Sequence, residues 1–196
     1  MTKTLFLPGA GASASFWRPV ADLTQLDAVF FSWPGLGDEP SAQDVNGVDD
    51  LVAMVLDRMG EPVNIVAQSM GGLVAVKAVL AAPDKVKRLV LTATSGGVPV
   101  VGGTDWRSDY YREYPRAAGW IGEVREDLSD RLVSINAPTL LLWGDNDPIS
   151  PLSVGKRLLS LLPHASLHVI SGGDHDLART HAAVVADLVV RHLAGV

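Results

Sequence analysis

A chain of 196 residues can bury one sizeable core and is too short for two ordinary domains. Its 47% hydrophobic and 19% charged residues exclude a disordered protein. A net charge of −6 with no run of basic residues excludes a nucleic-acid footprint, and the lack of cysteine excludes disulfides, thiolate metal sites and a cysteine nucleophile.

At the start, Lys3, the apolar Leu5-Phe6-Leu7 and Ala12-Ser13-Ala14 loosely mimic a secretory leader, but the apolar part is far too short for one. No run approaches the roughly 18 apolar residues of a membrane span. The expectation is a soluble, cytoplasmic chain with no membrane or nucleic-acid partner.

Short apolar runs then alternate with helical patterns. Strands are expected over 4–7, 28–33, 63–67, 88–92, 139–143 and 166–170. Several lack polar alternation, as strands covered on both faces do. Helices are expected over 49–59, where Leu51, Val52, Val55, Leu56 and Met59 keep helical spacing, and over 70–82, which is small and apolar throughout. Two more are expected over 151–162, after Ser150 and Pro151, and over 177–193. This alternation predicts an α/β fold: a mostly parallel six-stranded sheet with helices on both faces, its strand-end loops along one edge, where ligands bind.

Residues 98–136 interrupt the rhythm. They hold Trp106, Tyr110, Tyr111, Tyr114 and Trp120, and two readings stay open: a short helical lid over the site, or an excursion whose aromatics pack on the body. Trp106 and Tyr110, with Ile149 from a later loop, are candidates for the substrate pocket.

The chemistry-bearing residues fall at strand ends. Ala67-Gln68-Ser69-Met70-Gly71-Gly72 joins a strand to a helix, the context of a nucleophile elbow. There the serine hydroxyl is lifted clear of the sheet at a helix N-terminus, and the Met70 N–H is aimed at a nascent oxyanion. The competing reading is a serine that only caps the helix. Pro8-Gly9-Ala10-Gly11 follows the first strand and offers the Ala10 N–H as a second oxyanion donor. Residues 9–14 also fit the dinucleotide pattern G-x-G-x-x-A, but the second strand ends in Phe31-Ser32-Trp33-Pro34 without the required acid.

Of the two acids after the fifth strand, Asp147 lies further into the loop and can reach under a histidine, whereas Asp145 reads as a turn residue. Pro148 and the lack of a later glutamate argue against a calcium loop. His175, in Gly173-Asp174-His175 after the last strand, is the candidate general base. His164 and His168 are four apart, roughly 13 Å on a strand and too far to share an ion. His181 and His192 lie on the last helix in solvated or capping roles. No metal or cofactor is expected. The order Ser, Asp, His is that of one serine-hydrolase fold among several.

With Leu7-Pro8-Gly9-Ala10-Gly11 and Trp17, Trp33-Pro34-Gly35-Leu36-Gly37, the elbow, residues 83–91, 143–147 and 173–175, the chain resembles the α/β-hydrolase superfamily over nearly its whole length, in its esterase, haloperoxidase and lyase-like group. The resemblance implies a Ser69–Asp147–His175 triad acting on a small-molecule ester or thioester through an acyl-enzyme. A C–C hydrolase, lyase or perhydrolase using the same triad, and a non-catalytic ligand sensor or partner-binding module, are the alternatives. Relatives of this type often have histidine where Pro8 stands, and glycine at the positions of Ala67 and Asp174. They also have a longer lid and extra antiparallel strands at the start.

Overall fold

The computed structural model describes residues 2–196. The chain runs β1 (Lys3–Leu7), α1 (Arg18–Ala21), β2 (Asp27–Phe30), α2 (Val48–Leu56), β3 (Val63–Gln68), α3 (Met70–Ala81) and β4 (Val86–Thr92). It continues through α4 (Arg107–Glu113), a 3-10 turn over Gly119–Glu123, α5 (Ser129–Leu132), β5 (Thr139–Gly144), α6 (Leu152–Leu161), β6 (Ala165–Ile170), α7 (Leu177–Thr180) and α8 (Ala182–Ala194).

All six strands pair in parallel, in the order β2-β1-β3-β4-β5-β6. Alternate residues feed two separate cores, as the period of two requires. Leu5, Leu7, Ile65, Ala67, Leu89, Leu91, Leu141 and Trp143 face the core under α2, α3 and α6. Phe6, Val66, Val90, Leu140 and Leu142 face the one under α1, α7 and α8. A polar residue on either side would lose about 1.5–3 kcal/mol of burial, which is why these strands read as unbroken apolar runs.

The chain leaves β1 for β2 on one side and returns to β3 on the other. A crevice therefore opens at the carboxyl ends of β1 and β3, the topological switch point of an open α/β sheet. Leu7 pairs with Ala67, so the loops that follow them, holding Ala10 and Ser69, lie side by side.

Most element boundaries fall within two residues of expectation, and three departures are larger. β2 ends at Phe30, and Phe31 and Trp33 beyond it are buried outside the strand. α2 ends at Leu56, although Met59 in the following turn is still buried. The last helix is broken at His181 (φ −124°, ψ 35°) into α7 and α8.

Residues 98–136 pack on the body. Tyr110, Ile121, Leu128 and Leu132 join the core on the α2–α3 face. Backbone bonds from Ala118 N–H to Gly35 C=O (2.8 Å) and from Leu128 N–H to Gly97 C=O (2.7 Å) hold the segment down. Lys77 of α3 adds an ion pair to Glu126 and another to Asp49 (2.9 Å). Burial opposes the ammonium charge of Lys77, but these two carboxylates outweigh it and raise the Lys77 pKa. Among the described residues no helix is long and apolar enough to cross a membrane.

Candidate active site

Four strand ends supply the site. After β3 the backbone turns so sharply into α3 that Ser69 takes φ 53° and ψ −125°, a conformation that costs an L residue about 1–3 kcal/mol. The turn survives because its neighbours overdetermine it. Ser69 N–H donates to Thr92 C=O (3.0 Å), and the Thr94 hydroxyl donates to Ser69 C=O. Gly71 faces the end of β1, where any Cβ would collide with the carbonyl oxygens of Leu7 and Pro8. That contact is the steric reason for a glycine two residues after the serine. Ala67, two before it, is fully buried and its methyl is accommodated.

The Ser69 hydroxyl does not cap α3. It lies 3.0 Å from His175 Nε2, so the capping alternative is not the one the chain adopts. On the far side of the ring, His175 Nδ1 is 2.9 Å from Asp147 Oδ2 and 3.1 Å from Oδ1. The Asp147 side chain is 0% exposed, and its Oδ1 also accepts the N–H groups of Ile149 (2.8 Å) and Ser150 (3.0 Å). A buried carboxylate needs such donors. Facing an acceptor-only group, Nδ1 carries the imidazole proton, which leaves Nε2 to accept from the serine O–H. The His175 side chain keeps 18% of its surface, enough for a reactant to approach the ring while the acid stays dry.

The acid and base loops are fastened to each other. Asp145 is exposed, yet its Oδ1 accepts Gly172 N–H at 2.7 Å, and Asn146 N–H donates to Gly173 C=O at 3.0 Å. Asp145 is thus a cross-loop brace as well as a turn residue. Gly144 and Gly173 touch backbone to backbone, and a Cβ on Gly144 would land on the Gly173 carbonyl. Gly144→Ala is therefore expected to destabilise the protein by about 2 kcal/mol. Forcing the loops apart should also lower turnover by about tenfold to a hundredfold. Urea midpoints and ester kinetics check this, and wild-type values in both would refute the contact. Buried Gln68 ties the base loop to the elbow, donating from Nε2 to His175 C=O at 3.2 Å.

Beside the elbow lies the loop after β1. Neither Ala10 N–H nor Met70 N–H has an acceptor among the described residues. Each stands three residues beyond one of the paired residues Leu7 and Ala67, and Met70 opens α3, where the helix dipole favours negative charge. Two free donors on neighbouring strand ends, next to a hydroxyl bonded to an imidazole, make an arrangement suited to acyl transfer.

The residues expected at the pocket are distributed differently. Ile149 is half-buried beside the acid, and half-buried Trp106 packs edge-on against Tyr110 (5.5 Å). Tyr110 itself is buried, with its hydroxyl bonded to backbone groups of the body. The sequence assigns no role to Tyr114, Gln68 or Thr94, since each acts on a backbone group; Gln68 stands at a variable position of the elbow and Tyr114 is one aromatic among several. A hollow of about 370 Å³ between the start of α2 and residues 120–126 shares no residue with this site. No three His, Asp or Glu side chains gather to hold a metal among the described residues.

A family model described as "Alpha/beta hydrolase family" matches residues 4–188. The chain is 29% identical to the pimeloyl-[acyl-carrier protein] methyl ester esterase of Neisseria meningitidis, over 83% of this chain and 81% of the relative. It is 28% identical to the 2-hydroxy-6-oxononadienedioate/2-hydroxy-6-oxononatrienedioate hydrolase of Cupriavidus pinatubonensis, over 95% of this chain and 83% of the relative. That alignment spans 242 positions, so the relative carries segments this chain lacks. Among solved structures, the meta-cleavage product hydrolase of Pseudomonas fluorescens IP01 superposes with a TM-score of 0.84 at 18% identity, covering all of this chain and 91% of the other, a likeness of fold.

Proposed function

The chain belongs to the alpha/beta hydrolase family, and from that premise we propose that it is a serine hydrolase cleaving a small-molecule carboxylic ester or thioester, with Ser69 as nucleophile, His175 as general base and Asp147 as its orienting acid. The observation that carries the proposal is the unbroken chain of hydrogen bonds from Ser69 Oγ through His175 to Asp147, at 3.0 and 2.9 Å.

In this reading His175 Nε2 takes the hydroxyl proton as Ser69 Oγ attacks the acyl carbon. The carbonyl electron pair moves to oxygen, where the Ala10 and Met70 N–H groups receive the charge. Asp147 stabilises the imidazolium. Collapse expels the alcohol or thiol with the proton from His175, and water repeats the sequence to release the acid and free Ser69. Residues 98–136 act as a small cover for this edge of the sheet.

The name of the Cupriavidus relative favours a second reading, hydrolysis of a carbon–carbon bond. The same triad serves, but the leaving carbon must be protonated, a step that an ester does not need. An ester requires only the groups already named. Assay of p-nitrophenyl esters from acetate to octanoate, beside a 2-hydroxy-6-oxodienoate, separates the two. We expect kcat/KM for the best ester to exceed that for the dienoate by about a hundredfold. A preference for the dienoate would replace the ester reading with the second one.

A further inference from the structure

The loop after β1 has an unusual feature in its backbone accounting. Five consecutive carbonyls, from Leu7 to Gly11, each accept a hydrogen bond. Trp17 Nε1–H holds Leu7 C=O (3.1 Å), and Trp33 Nε1–H holds Pro8 C=O (2.8 Å). Ala12 N–H reaches back to Gly9 C=O (3.3 Å). The last two donors come from α4 and from the residue that ends it, about a hundred residues away in the chain. The Tyr110 hydroxyl donates to Ala10 C=O (3.2 Å), and the Tyr114 hydroxyl lies 2.9 Å from Gly11 C=O. The Tyr110 oxygen also accepts Gly37 N–H at 2.9 Å, so one hydroxyl joins the β1 loop, the turn after β2 and α4.

A peptide unit is planar, so its C=O and N–H point in opposite directions. The Ala10 N–H therefore aims wherever the Gly9 C=O aims away from. The bond of Gly9 is the longest of the five, so the orientation of this unit leans on the units either side. Trp33 fixes the one before it and Tyr110 the one after. We propose that Tyr110 is a positioning residue for the oxyanion donor Ala10, with Tyr114 as an auxiliary, so that residues 98–136 brace the machinery of the reaction. This inference rests on the serine hydrolase reading.

The two tyrosines are not equal. Tyr110 is buried, and its hydroxyl has Ala10 C=O as its one acceptor. Tyr114 is only half-buried, and its hydroxyl has the Glu113 carboxylate at 2.9 Å as a second acceptor for its single proton. Tyr111 provides a control on the same helix. Its hydroxyl bonds Gly119 C=O (2.9 Å) and Gly122 N–H (3.0 Å), within residues 98–136 and not on the β1 loop.

Tyr110→Phe, Tyr114→Phe and Tyr111→Phe are compared with wild type for kcat and KM on a p-nitrophenyl ester, for the rate of labelling by a fluorophosphonate, and for thermal midpoint. For Tyr110→Phe, kcat and labelling rate are expected to fall together by about tenfold with KM nearly unchanged, because a misplaced donor weakens the transition state and not ground-state binding. Tyr114→Phe should lose about threefold in the same pattern, and Tyr111→Phe nothing. Wild-type kcat in Tyr110→Phe, or an equal loss in Tyr111→Phe, overturns the inference. Should Tyr110→Phe fail to fold, Tyr114→Phe decides: a kcat loss at constant KM supports the brace, and no loss overturns it. A wild-type chain that neither labels nor hydrolyses esters removes the hydrolase reading itself. One that labels normally, with Tyr110→Phe its equal, removes only this inference.

Discussion

Ser69→Ala is expected to lower ester turnover by about a millionfold and to abolish fluorophosphonate labelling, while the unfolding midpoint stays close to wild type. Activity should collapse because the hydroxyl is the only atom removed, and it is the one bonded to His175 Nε2 at 3.0 Å. Stability should be spared for a separate reason. The hydroxyl makes no capping bond to α3, and the strained turn is held by backbone groups, Ser69 N–H on Thr92 C=O and Ser69 C=O under the Thr94 hydroxyl. Turnover above water in the variant should still reflect two oriented N–H donors. Mass spectrometry of the labelled wild type should place the adduct on Ser69 alone. A second labelled serine, or a variant that retains more than about a hundredth of wild-type kcat, would move the nucleophile elsewhere.

What the sequence made legible follows the physics of each feature. The interior strands are legible because both faces are buried and their central positions, Leu5-Phe6-Leu7, Ile65-Val66-Ala67, Leu89-Val90-Leu91 and Leu140-Leu141-Leu142, are apolar. β2 was overrun because Phe31 and Trp33 are just as apolar, yet they are core residues of a loop, with Trp33 spending its indole N–H on Pro8 C=O. The break at His181 was invisible to periodicity. Leu177, Ala178, Val185, Ala186 and Val189 pack into one core on both sides of it. Ser69, Asp147 and His175 were legible because chain order and strand-end position constrain them. In the sequence Tyr110 reads either as a pocket candidate or as one of the aromatics that pack on the body. Its partners, Ala10 C=O and Gly37 N–H, are backbone groups that any residue carries, so no pairwise signal marks them in one sequence. Asp145 reads in the sequence as a turn residue for the same reason, its partner being the N–H of Gly172.

The choice between the two aspartates leads to the second large effect. Asp147→Asn is expected to lower kcat by about ten-thousandfold with little change in KM. The backbone dictates how the new amide sits. Asp147 Oδ1 accepts two N–H groups, from Ile149 at 2.8 Å and Ser150 at 3.0 Å, so the amide oxygen must take that place. The NH2 then occupies the position of Oδ2, 2.9 Å from His175 Nδ1. A donor facing Nδ1 forces that nitrogen to accept, and the ring proton moves to Nε2. Nε2–H cannot take a proton from Ser69, so the nucleophile is present but not activated. Fluorophosphonate labelling should slow in proportion to kcat, because it needs the same proton transfer. Asp145→Asn serves as the comparison, since its amide oxygen can still accept Gly172 N–H and only a brace of the loop is altered. It should retain kcat within about tenfold of wild type. If Asp145→Asn lost more activity than Asp147→Asn, the orienting acid would be Asp145, and the hydrogen bonds of Asp147 would count only toward folding the loop before α6.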